Sequence, residues 1–253
     1  MKESIEVSFE KPKAVICFDD GFHSIVTNAK PILDEHNIPY VIFLNPSFLD
    51  QNYFSEPLLS HLIEKTIDHE VIQKTFGNKT MHGGLWNHIR INSSIKQIKL
   101  LQELITISDF PKYYLSWNDL ESLNDDRVTL ANHTSHHLFL SSLSIEEQKS
   151  QIMLGHQRLK KLDNYYKILA IPFGSNNSFN SDTLTFIPDY SQNILIKANG
   201  GIDHTLQDSL VIIERIGLSN NKPSISQHIH NRLYGTPFFE KILDKLKSMK
   251  ALS

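Results

Sequence analysis

The sequence predicts an α/β fold built on a parallel sheet with crossover helices. Two observations carry this. Apolar, β-rich runs at Ala14–Phe18 and Tyr40–Leu44 flank a helically spaced segment. Strand, helix and strand within about 30 residues form a βαβ unit, whose long connection suits parallel pairing. Three predicted strands also end in abrupt polar sequences: Asp19-Asp20-Gly21, His133-Thr134-Ser135-His136-His137 and Pro172-Phe173-Gly174. The C-terminal ends of parallel strands are where such folds place their sites.

The elements follow in order. Ala14–Phe18 is a short apolar run and predicts a buried strand. Ala29, Ile32 and Leu33 recur at helical spacing to about His36, and Asn37-Ile38-Pro39 breaks the helix before the second strand. Residues 46–116 differ in texture. Leu58/Leu59/Leu62/Ile63 and Ile95/Ile98/Leu101/Leu104/Ile105 predict two helices, with a flexible, glycine-bearing middle at Asn78–Asn87. This is a helical insertion after the second strand, expected to act as a lid or substrate-selecting arm. Ser116 with Asp119 forms a capping box that opens a short helix through Leu120 and Leu123. Val128–Ala131 is the next strand. Ser144 with Glu147 caps a helix to about Leu162. Ile168–Ile171, Ile194–Ile196 and Val211–Ile213 are further strands, and a last helix begins near Thr236-Pro237. One domain over residues 1–253 is expected.

Composition narrows the function. Lys+Arg 25 against Asp+Glu 28 gives a net charge of -3, without the basic field of a nucleic-acid binder. Hydrophobic residues at 40% support a packed core. No apolar run reaches the ~20 residues of a membrane-spanning helix. Met1–Glu10 lacks the apolar core of a secretory signal, so a cytoplasmic location is expected. The single Cys17 rules out an internal disulfide and a thiolate zinc cluster. The 13 histidines are the unusual feature.

Two strand ends carry chemistry. His133 and His137 are four residues apart. If the chain turns helically after the strand, their imidazoles share a face and can grip one metal ion. The other reading is a polar loop with exposed histidines. Asp19 and Asp20 offer one carboxylate for a metal and one for substrate, since neighbours at a strand end point to opposite sides. The other reading is a pair of helix N-capping carboxylates.

Taken together, Cys17-Phe18-Asp19-Asp20-Gly21, His133-Thr134-Ser135-His136-His137 and Ala170-Ile171-Pro172-Phe173-Gly174 resemble the polysaccharide deacetylase family with its NodB-homology domain. They match its (T/S)FDDG, H(S/T)xxH and A-x-P-(Y/F)-G motifs in order and strand context. The resemblance covers about Lys13–Leu44 and Trp117–Leu218. It implies a distorted (β/α) barrel and one divalent metal ion, most commonly zinc, on Asp20, His133 and His137. It implies Asp19 as catalytic base and the Phe173 backbone N–H as an oxyanion donor. The implied activity is removal of an N-acetyl, less often O-acetyl, group from a sugar or glycan. A cytoplasmic location would favour a precursor in bacterial surface-polysaccharide assembly. A linear-amide or cyclic-imide hydrolase, or a non-catalytic glycan-binding relative, are the other functions considered; the intact acidic and histidine set argues against the last.

The departures are specific. Cys17 replaces the usual Thr or Ser, inside a strand. Ala170 occupies the place of an arginine that orients the base in many members. Arg215, just beyond Val211–Ile213, is at the site end of its strand, and Glu214–Leu218 resembles the late strand-end arginine of members lacking the first one. It is the candidate partner of Asp19; a surface ion pair with Glu214 is the alternative. The family's fourth (Asp-Trp) and fifth (Leu-x-x-x-His-like) motifs have no clear counterpart. His23, His82, His88, His204, His228 and His230 are therefore read as ordinary surface or structural histidines, and His136 as solvated. Tyr53, Trp86 and Trp117 are either sugar-stacking platforms or packing residues.

Overall fold

The structure is a computed structural model, and it describes residues 14–51, 53–76, 84–92, 94–103, 105, 112–192, 194–198, 204–207 and 210–218. The expected last helix from Thr236-Pro237, the segment 78–83, and His82, His228 and His230 lie outside them.

Seven strands form one sheet: β1 (Ile16–Phe18), β2 (Tyr40–Leu44), β3 (Val128–Asn132), β4 (Tyr165–Ala170), β5 (Ile194–Lys197), β6 (His204–Gln207) and β7 (Leu210–Glu214). Their order is β1-β2-β3-β4-β5-β7-β6. The six strands from β1 to β7 pair in parallel, and β6 adds an antiparallel edge. In a flat sheet β1 and β7 would stand roughly 24 Å apart, at about 4.8 Å per strand. Yet Arg215, just after β7, touches Asp19, just after β1, at 2.7 Å. The sheet therefore curls into a half-barrel, a distorted (β/α) barrel. The first strand is its edge and not a buried strand as expected: Val15 is 71% and Ile16 39% exposed.

Period-two alternation sorts each strand's side chains. Ile42, Leu44, Val128 and Leu130 face an outer core with Ile25, Leu33, Leu120, Leu123 and Leu159. Leu169, Leu195 and Ile212 face a second outer core with Ile152, Phe186 and Ile187. The alternate residues Phe43, Ala131, Ala170 and Ile196 fill the inner face. The helices on the outside are α1 (Lys30–Glu35), α7 (Ile145–Leu159) and α8 (Ser181–Tyr190), the last not expected from the sequence. A π-helical turn, Ile25–Ala29, leads into α1, and the face differs from expectation: Leu33 is buried but Ile32 is 59% exposed.

The insertion holds α2 (Pro46–Leu49), α3 (Glu56–Thr66), α4 (His69–Phe76), α5 (Gly84–Asn92) and α6 (Ile95–Glu103). The α5 helix begins within the segment expected to be flexible, at Gly84. These helices share a core of their own, with Phe48, Leu59, Leu62, Ile63, Leu85, Ile89, Ile98 and Tyr114. The returning chain is fastened to the turn after β1, where Leu115 N–H donates to Gly21 O (2.8 Å) and His23 N–H to Tyr113 O (2.7 Å). The Ser116 and Ser144 capping boxes form as expected, the first on a 3-10 turn, Trp117–Leu123. No described helix is long and apolar enough to cross a membrane.

Candidate active site

The site assembles at the C-terminal ends of β1, β3, β4 and β7. After Phe18 the chain leaves the strand at once. Asp20 and Gly21 both have φ 65°, and Gly21 N–H closes the turn on Asp19 O at 2.8 Å. Gly21 suits this left-handed backbone, and a Cβ there would lie 2.7 Å from the end of the Leu44 side chain, which would have to move. Because the turn is left-handed, the alternation expected for Asp19 and Asp20 does not apply. Both carboxylates reach His133 Nε2, at 3.8 Å and 3.6 Å.

The second strand end is not helical either. Thr134 has φ 65° and His137 φ 59°, and this irregular turn brings the imidazoles to 5.0 Å between centroids. Asn132 builds it: its Oδ1 accepts from Thr134 N–H (2.9 Å) and its Nδ2 donates to Ile152 O (3.0 Å). Gly155 on α7 lets this happen, since a Cβ there would lie 2.2 Å from Asn132 Oδ1. Asn45, just after β2, donates to the carbonyls of His133 and Thr134.

His133 is 1% and His137 5% exposed. His133 Nδ1 lies 2.9 Å from Ala170 O. A carbonyl only accepts, so Nδ1 carries the proton and Nε2 presents a lone pair. His137 Nε2 is 3.4 Å from Asp20 Oδ1. Its Nδ1 is 3.3 Å from Glu56 Oε2 on α3. Burial lowers the His133 pKa. Burial also acts to lower that of His137, but Asp20 and then Glu56 push it up to about 9.

Asp19, Arg215 and Phe173 complete the cluster. Arg215 donates through Nη1 to Asp19 Oδ1 (2.7 Å) and through Nη2 to Oδ2 (2.8 Å). Its guanidinium lies over the Phe43 ring at 5.3 Å and reaches Cys17 Sγ at 3.4 Å. Cys17 is thus a neighbour of the ion pair, not merely a strand residue. Burial would raise the Asp19 carboxyl, but His133 when charged, and then Arg215, hold it below the usual carboxylate range. Phe173 has φ 63°, and its ring lies 4.6 Å from that of His137.

The donor set fits a divalent ion. One ligand atom each from Asp20, His133 and His137 lies within 4.8 Å of the others. Asp20 Oδ1 is buried without a hydrogen-bond partner among the described residues, which is costly unless a cation or proton faces it. One carboxylate oxygen and two imidazole nitrogens are ligands that zinc takes.

Other expected residues fall elsewhere. His136 is only partly solvated. It is half-buried, its N–H donates to Gln151 Oε1, and its ring meets Tyr53 edge-on at 5.0 Å. Burial lowers its pKa to about 4. Tyr53 is 1% exposed and belongs to the insertion core, so it offers no sugar platform. Trp117 donates from Nε1 to Asp50, with Arg158 and Lys161 over its ring. Trp86 lies 6.3 Å from Phe173, with Arg90 over it at 4.8 Å. Glu56 carries no sequence signal: a Glu opening a helix has an ordinary role at the positive end of the helix dipole, and it belongs to none of the strand-end motifs.

A family model described as polysaccharide deacetylase matches residues 6–187. Among solved structures, a de-N-acetylase from Aggregatibacter actinomycetemcomitans is 13% identical over 86% of this chain and 74% of its own, with a TM-score of 0.51. The deacetylase PplD of Streptococcus pyogenes, in complex with acetate, is 16% identical over 82% of this chain and 65% of its own, with a TM-score of 0.46. IcaB of Ammonifex degensii is 13% identical over 87% of this chain and 72% of its own, with a TM-score of 0.49. At 13% identity the likeness to the Aggregatibacter enzyme is one of fold alone, and the chain spans less than two thirds of PplD. No curated protein matches.

Proposed function

The chain belongs to the polysaccharide deacetylase family, and on that premise we propose that it is a metal-dependent hydrolase removing an N-acetyl group from a sugar or glycan. The observation that carries this reading is the cluster of Asp20, His133 and His137 with the Asp19 carboxylate 3.8 Å from His133. A glycan-binding module has no need of a buried carboxylate, two buried imidazoles and a second, arginine-held carboxylate at one point.

Asp20 Oδ1 and the Nε2 atoms of His133 and His137 are the atoms that would hold the ion, with zinc suited to this donor set. When bound, the ion supplies Lewis-acid polarisation of an acyl carbonyl and lowers the pKa of water. Asp19, about a third exposed, is the group that takes the proton of the attacking water. Arg215 keeps Asp19 ionised and fixes its plane through two parallel hydrogen bonds. The Phe173 N–H donates to the acyl oxygen as negative charge develops there. Collapse of the tetrahedral adduct breaks the C–N bond as the nitrogen takes up the proton that Asp19 accepted from water, and leaves acetate and a free amino sugar.

Acetate release from N-acetylated oligosaccharides, nucleotide sugars and O-acetylated sugars, with zinc present, tests this directly. Release from an N-acetyl sugar is expected. Turnover of linear amides or cyclic imides, with no acetate from any sugar, would replace the reading with the other hydrolase class.

A further inference from the structure

The insertion contributes a buried carboxylate to the site, and nothing in the sequence motifs accounts for it. Glu56 is 0% exposed. Its Oε2 lies 3.3 Å from His137 Nδ1, and its Oε1 has no hydrogen-bond partner among the described residues. A buried carboxylate with so little compensation is expensive for folding alone. An apolar pair of similar volume in place of Glu56 and His137 would fill the same space without that desolvation cost. The cost points to a role beyond packing.

The local structure holds Glu56 in place. Ser55 precedes α3 in an extended conformation. Its N–H donates to Tyr114 Oη (3.2 Å), and Tyr114 Oη donates to Ser55 Oγ (2.7 Å). Tyr114 stacks on Phe48 at 4.5 Å, and Phe48 lies 6.2 Å from the His137 ring. The start of α3 is therefore set against His137 by two rings and a pair of hydrogen bonds.

We propose that Glu56 is a positioning residue for the metal site, accepting the Nδ1 proton of His137 and leaving Nε2 as the atom that joins Asp20 Oδ1 and His133 Nε2 in holding an ion. This rests on the reading of Asp20, His133 and His137 as metal ligands. His133 gets the same service from a backbone carbonyl, that of Ala170. The two imidazoles thus meet their Nδ1 acceptors from different parts of the fold, one from the barrel and one from the insertion. Carboxylate–histidine–metal relays of this kind fix ring orientation and raise ligand basicity, and their loss weakens metal binding about 10- to 100-fold. The insertion is then part of the metal site as well as a cover for it, and an enzyme with residues 52–110 replaced by a linker should bind zinc poorly.

The test uses zinc alone, titrated into the full chain against a chelating dye, with no sugar present. Glu56→Leu leaves the buried His137 without its Nδ1 partner and should lower the melting temperature of the zinc-free protein; measured at a temperature where that variant is still folded, zinc binding should weaken by about 10- to 100-fold. Glu56→Gln, which retains a neutral acceptor, should lose less. Zinc affinity of Glu56→Leu within threefold of the parent would overturn the proposal. A second measurement needs no variant. Nitrogen-15 spectra of the zinc-loaded parent should show His137 protonated at Nδ1 and unprotonated at Nε2; the reverse would overturn the proposal even if Glu56→Leu fails to fold. A parent that binds no zinc defeats the metal reading itself, a result distinct from a parent that binds and a Glu56 variant that binds equally.

Discussion

Arg215 and Asp19, 196 residues apart in sequence, face each other in a two-pronged ion pair, with N–O distances of 2.7 and 2.8 Å. The guanidinium comes from the far side of the sheet and brings a positive charge to a site whose third strand end carries Ala170 instead of arginine. Arg215→Lys should lower activity while leaving zinc content and fold unchanged, because an ammonium cannot match a carboxylate with two parallel donors. The pH–rate profile gives the sign. The positive charge depresses the Asp19 pKa, and the base must be ionised. A weaker partner lets that pKa rise, so activity is lost at higher pH as the solution is acidified. An acidic limb that stays in place in Arg215→Lys would remove this role.

Asp19→Asn keeps the shape of the side chain and removes its basicity. Loss of a general base beside activated water should lower kcat by about 100- to 10,000-fold. Zinc content should not change, since Asp19 is not one of the three clustered ligand residues. Near-parental kcat in the Asn variant would assign the proton transfer to another group.

Zinc should also stabilise the fold. A ligand bound only by the native state adds about 2.7 kcal/mol at a hundred times its Kd. The parent should therefore melt at higher temperature as zinc is added, and Asp20→Ala, His133→Ala and His137→Ala should lose that response. His136→Ala should keep it, because that ring packs against Tyr53. A variant of His136 that loses zinc while His137→Ala retains it would mean that the pair of ligands has been misassigned.

Gly155→Ala probes the support beneath the histidines. The new Cβ would fall 2.2 Å from Asn132 Oδ1, so either α7 moves outward or Asn132 gives up its bond to Thr134 N–H. Overpacking of this kind costs about 1–3 kcal/mol. Denaturant unfolding should show that loss, and zinc titration should show weaker binding, since the turn carrying His133 and His137, the proposed ligands, depends on Asn132. Unchanged values in both experiments would mean the turn does not depend on this contact.

Much of the fold is local in origin, and for that reason the sequence alone determined it. The apolar runs of β2, β3, β5 and β7, the capping boxes at Ser116 and Ser144, and the order of the three strand-end motifs depend on neighbours a few residues away, and period and capping chemistry report on such neighbours. The candidate residues Asp19, Asp20, His133, His137 and Phe173 were likewise visible, because each belongs to a short motif at a strand end. What the tertiary structure decided was how these pieces meet. Ile16 and Val15 are apolar yet exposed, because the strand order makes β1 an edge and no local pattern encodes strand order. The imidazoles converge through left-handed residues at Thr134 and His137 instead of a helical turn, since Asn132 and the missing side chain at Gly155 shape that loop from outside it. Glu56 looked like any acidic residue opening a helix, and became a neighbour of His137 only when the insertion folded back over the strand ends. Arg215 meets Asp19 because the sheet curls, bringing together side chains that a flat sheet would keep roughly 24 Å apart.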